Sequence, residues 1–396
     1  MLRLLAPFIV FGIVVFVHEL GHFLAAKLVG IYAPVFSLGW GRRWFGRRVG
    51  ETDYRISVFP IGGYVRMASR DDESMAGIEG GSDRGQFDAV GAADRIAANR
   101  EAAGALWDEG AMAPFGPKAV PPTRWFEAKP LWARLLVLSA GVAMNILLTM
   151  SVLTGLNVSR GRVYVPAVVD SVLVGQPAAL AGIQAGDSII AVGGQPVTEW
   201  SEVVERISAV TTGTIDVALM RNGVRQQVAL GTVVREVTDP ETGRTAKVGR
   251  VGIAVRDGRG RVPLSFTQAV VQGAEETWGM ATRISDVLGG LATGRVAVTN
   301  LGGPITIART SVQAAKGGME NLWILIAFLS INIAIFNLLP VPLLDGGQIL
   351  LALVEGAKGS AVSMRTRELL ARAGVAAVLV LFVLVTFNDV RALFTQ

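Results

Sequence analysis

Four long apolar runs stand out along the chain, at about Leu2 to Leu28, Leu131 to Leu156, Asn321 to Pro340 and Ala373 to Phe387. A helix crossing a hydrocarbon core takes about 20 apolar residues. The first three reach that length and the fourth reaches it by extension upstream. No small-residue cleavage site follows the first run, so it reads as a span and not as a signal peptide. Trp125, Trp132 and Trp323 fall near span ends, where interfacial anchors belong.

The stretches between the spans carry other periods. Over 31–70, "ETDYRISVFPIGGYVRM" alternates like paired strands around a Pro60 to Gly63 turn. Residues 71–124 are rich in Ala, Gly and charge with weak periodicity, as in a loop holding one short helix. Over 161–256 the rhythm is β-rich run, small-residue helix, Gly-Asp turn, short strand, and an amphipathic helix from Trp200 to Ile207. A hairpin around Asn222-Gly223 follows. Residues 257–318 form a linker with an amphipathic segment, and the last two spans lie in 319–355 and 356–396. The expected fold is a polytopic α-helical membrane protein of about four spans, with an inserted α+β module and a membrane-associated β-region.

Composition agrees with that pattern. Of 396 residues, 51% are hydrophobic and 17% charged, with a net charge of +5. The basic residues flank apolar segments, which points to membrane orientation and excludes nucleic acid as a partner. Lys27, Arg42, Arg43, Arg47, Arg48, Arg124, Lys129 and Arg134 lie between the first two spans. Lys358, Arg365, Arg367 and Arg372 lie between the last two. Both loops are expected in the cytoplasm, leaving 161–318 and both termini on the other side. The absence of cysteine excludes disulfides and thiolate metal sites.

The informative positions are the polar ones inside apolar runs. "FVHELGHFLAAKLVG" holds both histidines of the chain, His18 and His22, with Glu19 beside the first. Residues four apart share one helix face, so the two imidazoles can aim at one ion while Glu19 takes a proton from water there. The bland alternative is two helix histidines with ordinary hydrogen bonds. A catalytic zinc wants a third protein ligand, and with no further histidine it must be a carboxylate. Asp345 in "NLLPVPLLDGGQIL" is the expected one, although it could instead cap the helix starting at Gln348. Pro340 and Pro342 break the third span and leave backbone open to a cavity.

These motifs resemble the site-2 protease family of intramembrane zinc metalloproteases, and within it the bacterial branch that regulates sigma-E. The likeness covers nearly the whole chain through "HELGH", "NLLPVPLLDGG", "FEAKPLWARLLVLSAGVAMN" and "NLGGPITIA". It implies one zinc on His18, His22 and Asp345, with Glu19 as base. Asn337 would bind substrate near the scissile bond, beside Pro340 and Pro342, and the β-region would hold substrates extended. Substrates would be single-pass membrane proteins such as anti-sigma factors, or signal-peptide remnants, and the site would lie in the cell (inner) membrane toward the cytoplasm. Within 161–256, "AGIQAGDSIIAVGGQPV" resembles a PDZ domain. "KVGRVGIAV" resembles its carboxylate-binding loop, which would seat a C-terminal peptide on Gly249, Gly252 and Ile253 unless those glycines merely turn the chain. The spacing accommodates one such domain where better-known relatives carry two. Gln348 stands where a His is often found, and Val142 where a Pro is. Two other classes compete: a zinc transporter, which needs no base, and an inactive membrane-anchored scaffold, which would carry a damaged motif.

Overall fold

The computed structural model describes residues 2–68, 122–239, 242–255, 260–297 and 301–394. Most of the loop expected over 71–124 lies outside them. The chain divides into two compact units. One comprises Met1–Leu153, Glu276–Ile284 and Leu301–Gln396, the other Thr154–Glu275 and Ser285–Asn300.

The first unit is built on helices α1 (Leu2–Leu28) and α2 (Leu131–Arg160). In the same unit are α6 (Pro304–Gly317), α7 (Met319–Asn337), α8 (Asp345–Lys358) and α9 (Met364–Phe394). Four segments are long and apolar enough to cross a membrane: Leu5–Leu28, Leu131–Arg160, Met319–Asn337 and Arg365–Ala392. The third is shorter at its end than its apolar run because Pro340 and Pro342 cannot continue a helix. The fourth is longer, since the polar turn before Ala373 stays helical.

Val10 and Val14 of α1 pack against Leu325, Ile326 and Leu329 of α7. In the same unit, α6 is tied to α9 by a single buried carboxylate. Asp389 accepts from the backbone N–H groups of Gly303, Ile305 and Thr306, each at 2.9 Å, and from the Thr306 hydroxyl at 2.7 Å. A carboxylate inside a span is costly alone, at roughly 3 kcal/mol. Each charge-assisted bond returns about 1.5–3 kcal/mol, so the set favours burial. The carboxylate caps the N-terminus of α6 from another helix, which accounts for the "GGPIT" stretch. Glu355 does the same work at the end of α8, taking Arg134 of α2 at 2.7 Å, Arg367 of α9 and the Val362 N–H at 3.0 Å.

Strands β1 (Val35–Val49) and β2 (Thr52–Arg66) fold into a curled sheet against α1. Val35 to Leu38 lie between Asp53 to Ile56 on one side and Gly63 to Arg66 on the other. The chain therefore reverses between those two segments, where the Pro60 to Gly63 turn was expected, and Gly62 has φ +84°. The flanking strands do not pair with each other as the alternation implied; β1 is inserted between them. Phe36 carries the contact with α1, its ring 5.6 Å from Phe16 and 5.1 Å from Phe23. Burying such a ring is worth roughly 2–3 kcal/mol.

In the second unit lie β3 (Arg162–Tyr164), β4 (Val169–Val172), α3 (Pro177–Leu180), β5 (Ser188–Val192), β6 (Gln195–Pro196) and α4 (Trp200–Ser208). They are followed by β7 (Thr214–Arg221), β8 (Val224–Gly231), β9 (Val233–Thr238), β10 (Thr245–Arg250), β11 (Ile253–Val255) and β12 (Gly260–Val262). Strands order β6-β5-β7-β8 in one sheet, and β11 pairs with β4 in another. Asn222 and Gly223 both have positive φ, 48° and 79°, the tight hairpin turn the sequence signals. Val169, Ile189, Val203, Ile207, Val217 and Leu219 form the core. Asp187 holds the fold by a two-pronged pair with Arg221, both bonds 2.7 Å. The linker expected over 257–318 holds two helices: α5 (Phe266–Ala292), with a Ser265–Gln268 capping box, and α6.

The turn between β1 and β2 supplies a pH test. Glu51 accepts from Arg124 at 2.7 and 2.8 Å and from Lys27 at 2.5 Å. The Arg124 bonds, then Lys27, hold its carboxyl down at about 2, against 4.5 ordinarily. Its stabilisation is therefore complete above pH 4.5 and is lost as the pH falls through about 2. Glu51→Gln should destabilise the protein at neutral pH by roughly 1 kcal/mol, allowing for partial exposure. Its melting temperature in detergent should then vary less with acid pH than the wild type's; an identical pH profile would contradict the pairing.

Candidate metal centre

The site begins with the crossing of α1 and α2. A Cβ on Gly21 would lie 2.8 Å from the Ala140 carbonyl carbon, so the two backbones nearly touch. Gly141 faces the opposite way into the imidazoles: a Cβ there would come 2.7 Å from His18 Cε1 and 2.8 Å from His18 Nε2. Any side chain at 141 would fill the space between the rings. His18 and His22 are 6% and 7% exposed, so they are almost entirely withdrawn from water.

The third group arrives from the break after α7. The chain turns through Pro340 and Pro342, and the Gln348 amide donates to the Pro342 carbonyl at 2.9 Å. Gly346 and Gly347 are buried against this loop, where a Cβ on Gly347 would lie 2.7 Å from Pro342 Cα. Leu344 is the N-cap of α8 and Asp345 its first residue, with no side-chain cap bond. The N-cap position is thus taken by Leu344 and not by Asp345.

Asp345 Oδ2 lies 3.2 Å from His18 Nε2 and 3.4 Å from His22 Nε2, and the two Nε2 atoms are 3.2 Å apart. Tetrahedral ligands at 2.0–2.1 Å from zinc are separated by about 3.3 Å. The triangle has that edge length. His22 Nδ1 faces the Val137 carbonyl at 2.8 Å. A carbonyl only accepts, so Nδ1 carries the ring proton and Nε2 of the neutral ring presents a bare lone pair. Asp345 Oδ2 is buried with no hydrogen bond. A lone pair and an anionic oxygen held this close repel unless a cation sits between them. Among the described residues, His18, His22 and Asp345 are the group positioned to bind a metal ion.

Two further sequence-predicted residues border the triangle. The Asn337 amide nitrogen lies 3.2 Å from His18 Nε2. Glu19 sits one residue along α1, on the side of the sheet: a Cβ on Gly63 would lie 3.2 Å from its Cγ. Pro340 and Pro342 form the loop leading to Asp345. In the second unit, Gly249 belongs to β10, Ile253 to β11, and Gly252 to the bend between them with φ +77°. Gly249 is packed against the end of α4, near the Ile207 and Val210 carbonyls, so its lack of a side chain already has a packing reason. Sequence reading missed the Val137 carbonyl, which no side-chain pattern can signal. It also passed over Asp389, although an acid inside an apolar span is a signal in itself.

An imidazole pair on a candidate span and a carboxylate at the head of the helix after another, with a glutamate beside them, mark a metal centre set among membrane-spanning helices. The profile of peptidase family M50 matches residues 6–381, and the chain belongs to that family. It is 30% identical over 425 residues to the zinc metalloprotease RasP of Bacillus licheniformis, covering 98% of this chain and 99% of that one. It is also 30% identical over 430 residues to the regulator of sigma-W protease RasP of Bacillus subtilis, covering 98% of each. The chain is a zinc metalloprotease of the membrane.

The glycine cradle gives a direct test. Gly141→Ala should weaken zinc binding by upwards of about 100-fold, beyond the 10–100-fold typical of changes outside the ligands. Metal analysis after dialysis reads this. Full zinc content in Gly141→Ala would mean that the ion lies elsewhere.

Proposed function

We propose that the protein cleaves transmembrane segments of single-pass membrane proteins, with His18, His22 and Asp345 holding one zinc and Glu19 acting as base. The observation that carries this is the triangle of nitrogen and oxygen lone pairs beside Glu19, bordered by a sheet edge. When bound there, zinc supplies Lewis-acid activation of water and of the scissile carbonyl. Glu19 takes a proton from the attacking water and passes it to the departing amine as the C–N bond breaks. Asn337, with its amide nitrogen at the site, donates to a substrate carbonyl. A helix hides its carbonyls, so the substrate must unwind. The Gly63 to Arg66 segment, the outer strand of the curled sheet among the described residues, offers it backbone pairing next to Glu19. Pro340 and Pro342 keep the approach to Asp345 non-helical, which leaves room for a water path to the ion.

The Bacillus subtilis relative is named for regulating sigma-W. We extend that to membrane-bound anti-sigma factors, or signal-peptide remnants, as substrates here. The charge bias supports a cytoplasmic loop around Lys358, with the second unit on the outer side of the cell membrane. We read that unit as a single PDZ domain. Its β11 is paired on one edge with β4, and Leu173 donates to the Gly252 carbonyl at 2.8 Å, which holds the bend at the head of β11. There it either captures a C-terminal carboxylate or shields the site from intact substrates. The transporter reading leaves Glu19 without a role.

Two measurements test this. Glu19→Gln should keep zinc and lose cleavage of a reconstituted single-pass substrate by about 10²–10⁴-fold; retained cleavage would remove Glu19 from the mechanism. A cysteine at Thr212 should react with an impermeant thiol reagent on intact cells while one at Ser360 does not, and the reverse pattern would invert the topology.

A further inference from the structure

His22 has its second ring nitrogen fixed by a backbone carbonyl, and His18 needs an equivalent. Among the described residues, the side chain that meets His18 Nδ1 is Asn145 of α2, whose amide nitrogen lies 3.3 Å away. Asn145 is fully buried, and its Oδ1 has no hydrogen-bond partner. Its own backbone carbonyl is pinned from two directions, by the Ser330 hydroxyl at 2.9 Å and the Thr149 hydroxyl at 3.0 Å. The residue therefore sits at a fixed place with one unmet acceptor.

An amide has the same shape either way round, so the surrounding network decides which end faces the ring. With Nδ2 toward the ring, His18 Nδ1 must accept, and the proton of the neutral imidazole moves to Nε2. That nitrogen is the one 3.2 Å from both His22 Nε2 and Asp345 Oδ2, and protonated it cannot be a ligand. With Oδ1 toward the ring, His18 Nδ1–H donates, Nε2 is bare, and the orphaned oxygen is satisfied. Both histidines then have the same proton arrangement.

We propose that Asn145 is a positioning residue for the metal centre: its Oδ1 accepts from His18 Nδ1–H and so fixes the tautomer in which His18 Nε2 binds zinc. This rests on His18 being a ligand, and His18→Ala is measured alongside to keep the two claims apart.

The purified protein in detergent is titrated with zinc against a competing chelator, and the cobalt-substituted form is followed by its visible absorption. Asn145→Leu keeps the volume and removes the acceptor; zinc affinity should fall about 10–100-fold. Asn145→Asp offers only acceptors; its affinity should stay within about threefold of wild type, with a cobalt spectrum of the same band pattern. In a His18→Ala background, adding Asn145→Leu should cause no further loss, as expected for a residue acting through His18. Equal losses in Asp and Leu would assign the essential group to the Nδ2 donor and overturn the proposal. Unchanged affinity in Leu, with lowered thermal stability of the metal-free protein, would reduce Asn145 to a packing role. Unchanged affinity in His18→Ala would instead sink the ligand assignment on which the proposal stands.

Discussion

Three electron-rich atoms from two distant parts of the chain are held 3.2–3.4 Å apart inside an apolar bundle. With both rings in the tautomer that leaves Nε2 bare, this arrangement is repulsive without a cation, and burial removes the water that would soften it. The surrounding structure follows from that constraint. Gly141 leaves the space an ion needs, and Gly21 lets α1 and α2 approach closely enough to use it. The prolines stop α7 before the turn that delivers Asp345, and Gly346 and Gly347 let that turn press against its own backbone.

Charge holds the outer parts of the first unit in register with this centre. Glu355 joins α2, α8 and α9, and α8 is the helix that opens with Asp345. Glu51 joins the curled sheet to the end of α1 and to Arg124, so the strand beside Glu19 is anchored at its far turn. Asp389 fixes α9 to α6. Each of these carboxylates is stable in place because it meets several donors at once, and for the buried Glu355 and Asp389 an unpaired charge would cost several kcal/mol.

Much of the site was legible in the sequence because its chemistry demands rare residues in an apolar context. His18, Glu19, His22 and Asp345 stand out for that reason, and the structure brings them together from one stretch of α1 and the first residue of α8. The spans were legible from length, but their ends were not: the fourth continues through a polar turn whose Arg367 is neutralised by Glu355. In the sheet, alternation located the strands and the reversal near Gly62, yet it could not show that Val35 to Leu38 would lie between them. Pairing partners depend on contacts far apart in the chain, and a period of two records only which side faces inward. Asn145 was visible merely as one residue of a motif. Its neighbour His18 is set by three-dimensional placement alone, 127 residues away in sequence.

The most direct measurement is a crystallographic anomalous difference map collected at the zinc edge on the purified protein. If zinc is held as described, one peak will lie about 2.0–2.1 Å from His18 Nε2, His22 Nε2 and an Asp345 oxygen together. A peak bound by the histidines alone with Asp345 turned away, or a principal peak elsewhere in the chain, would contradict the central claim.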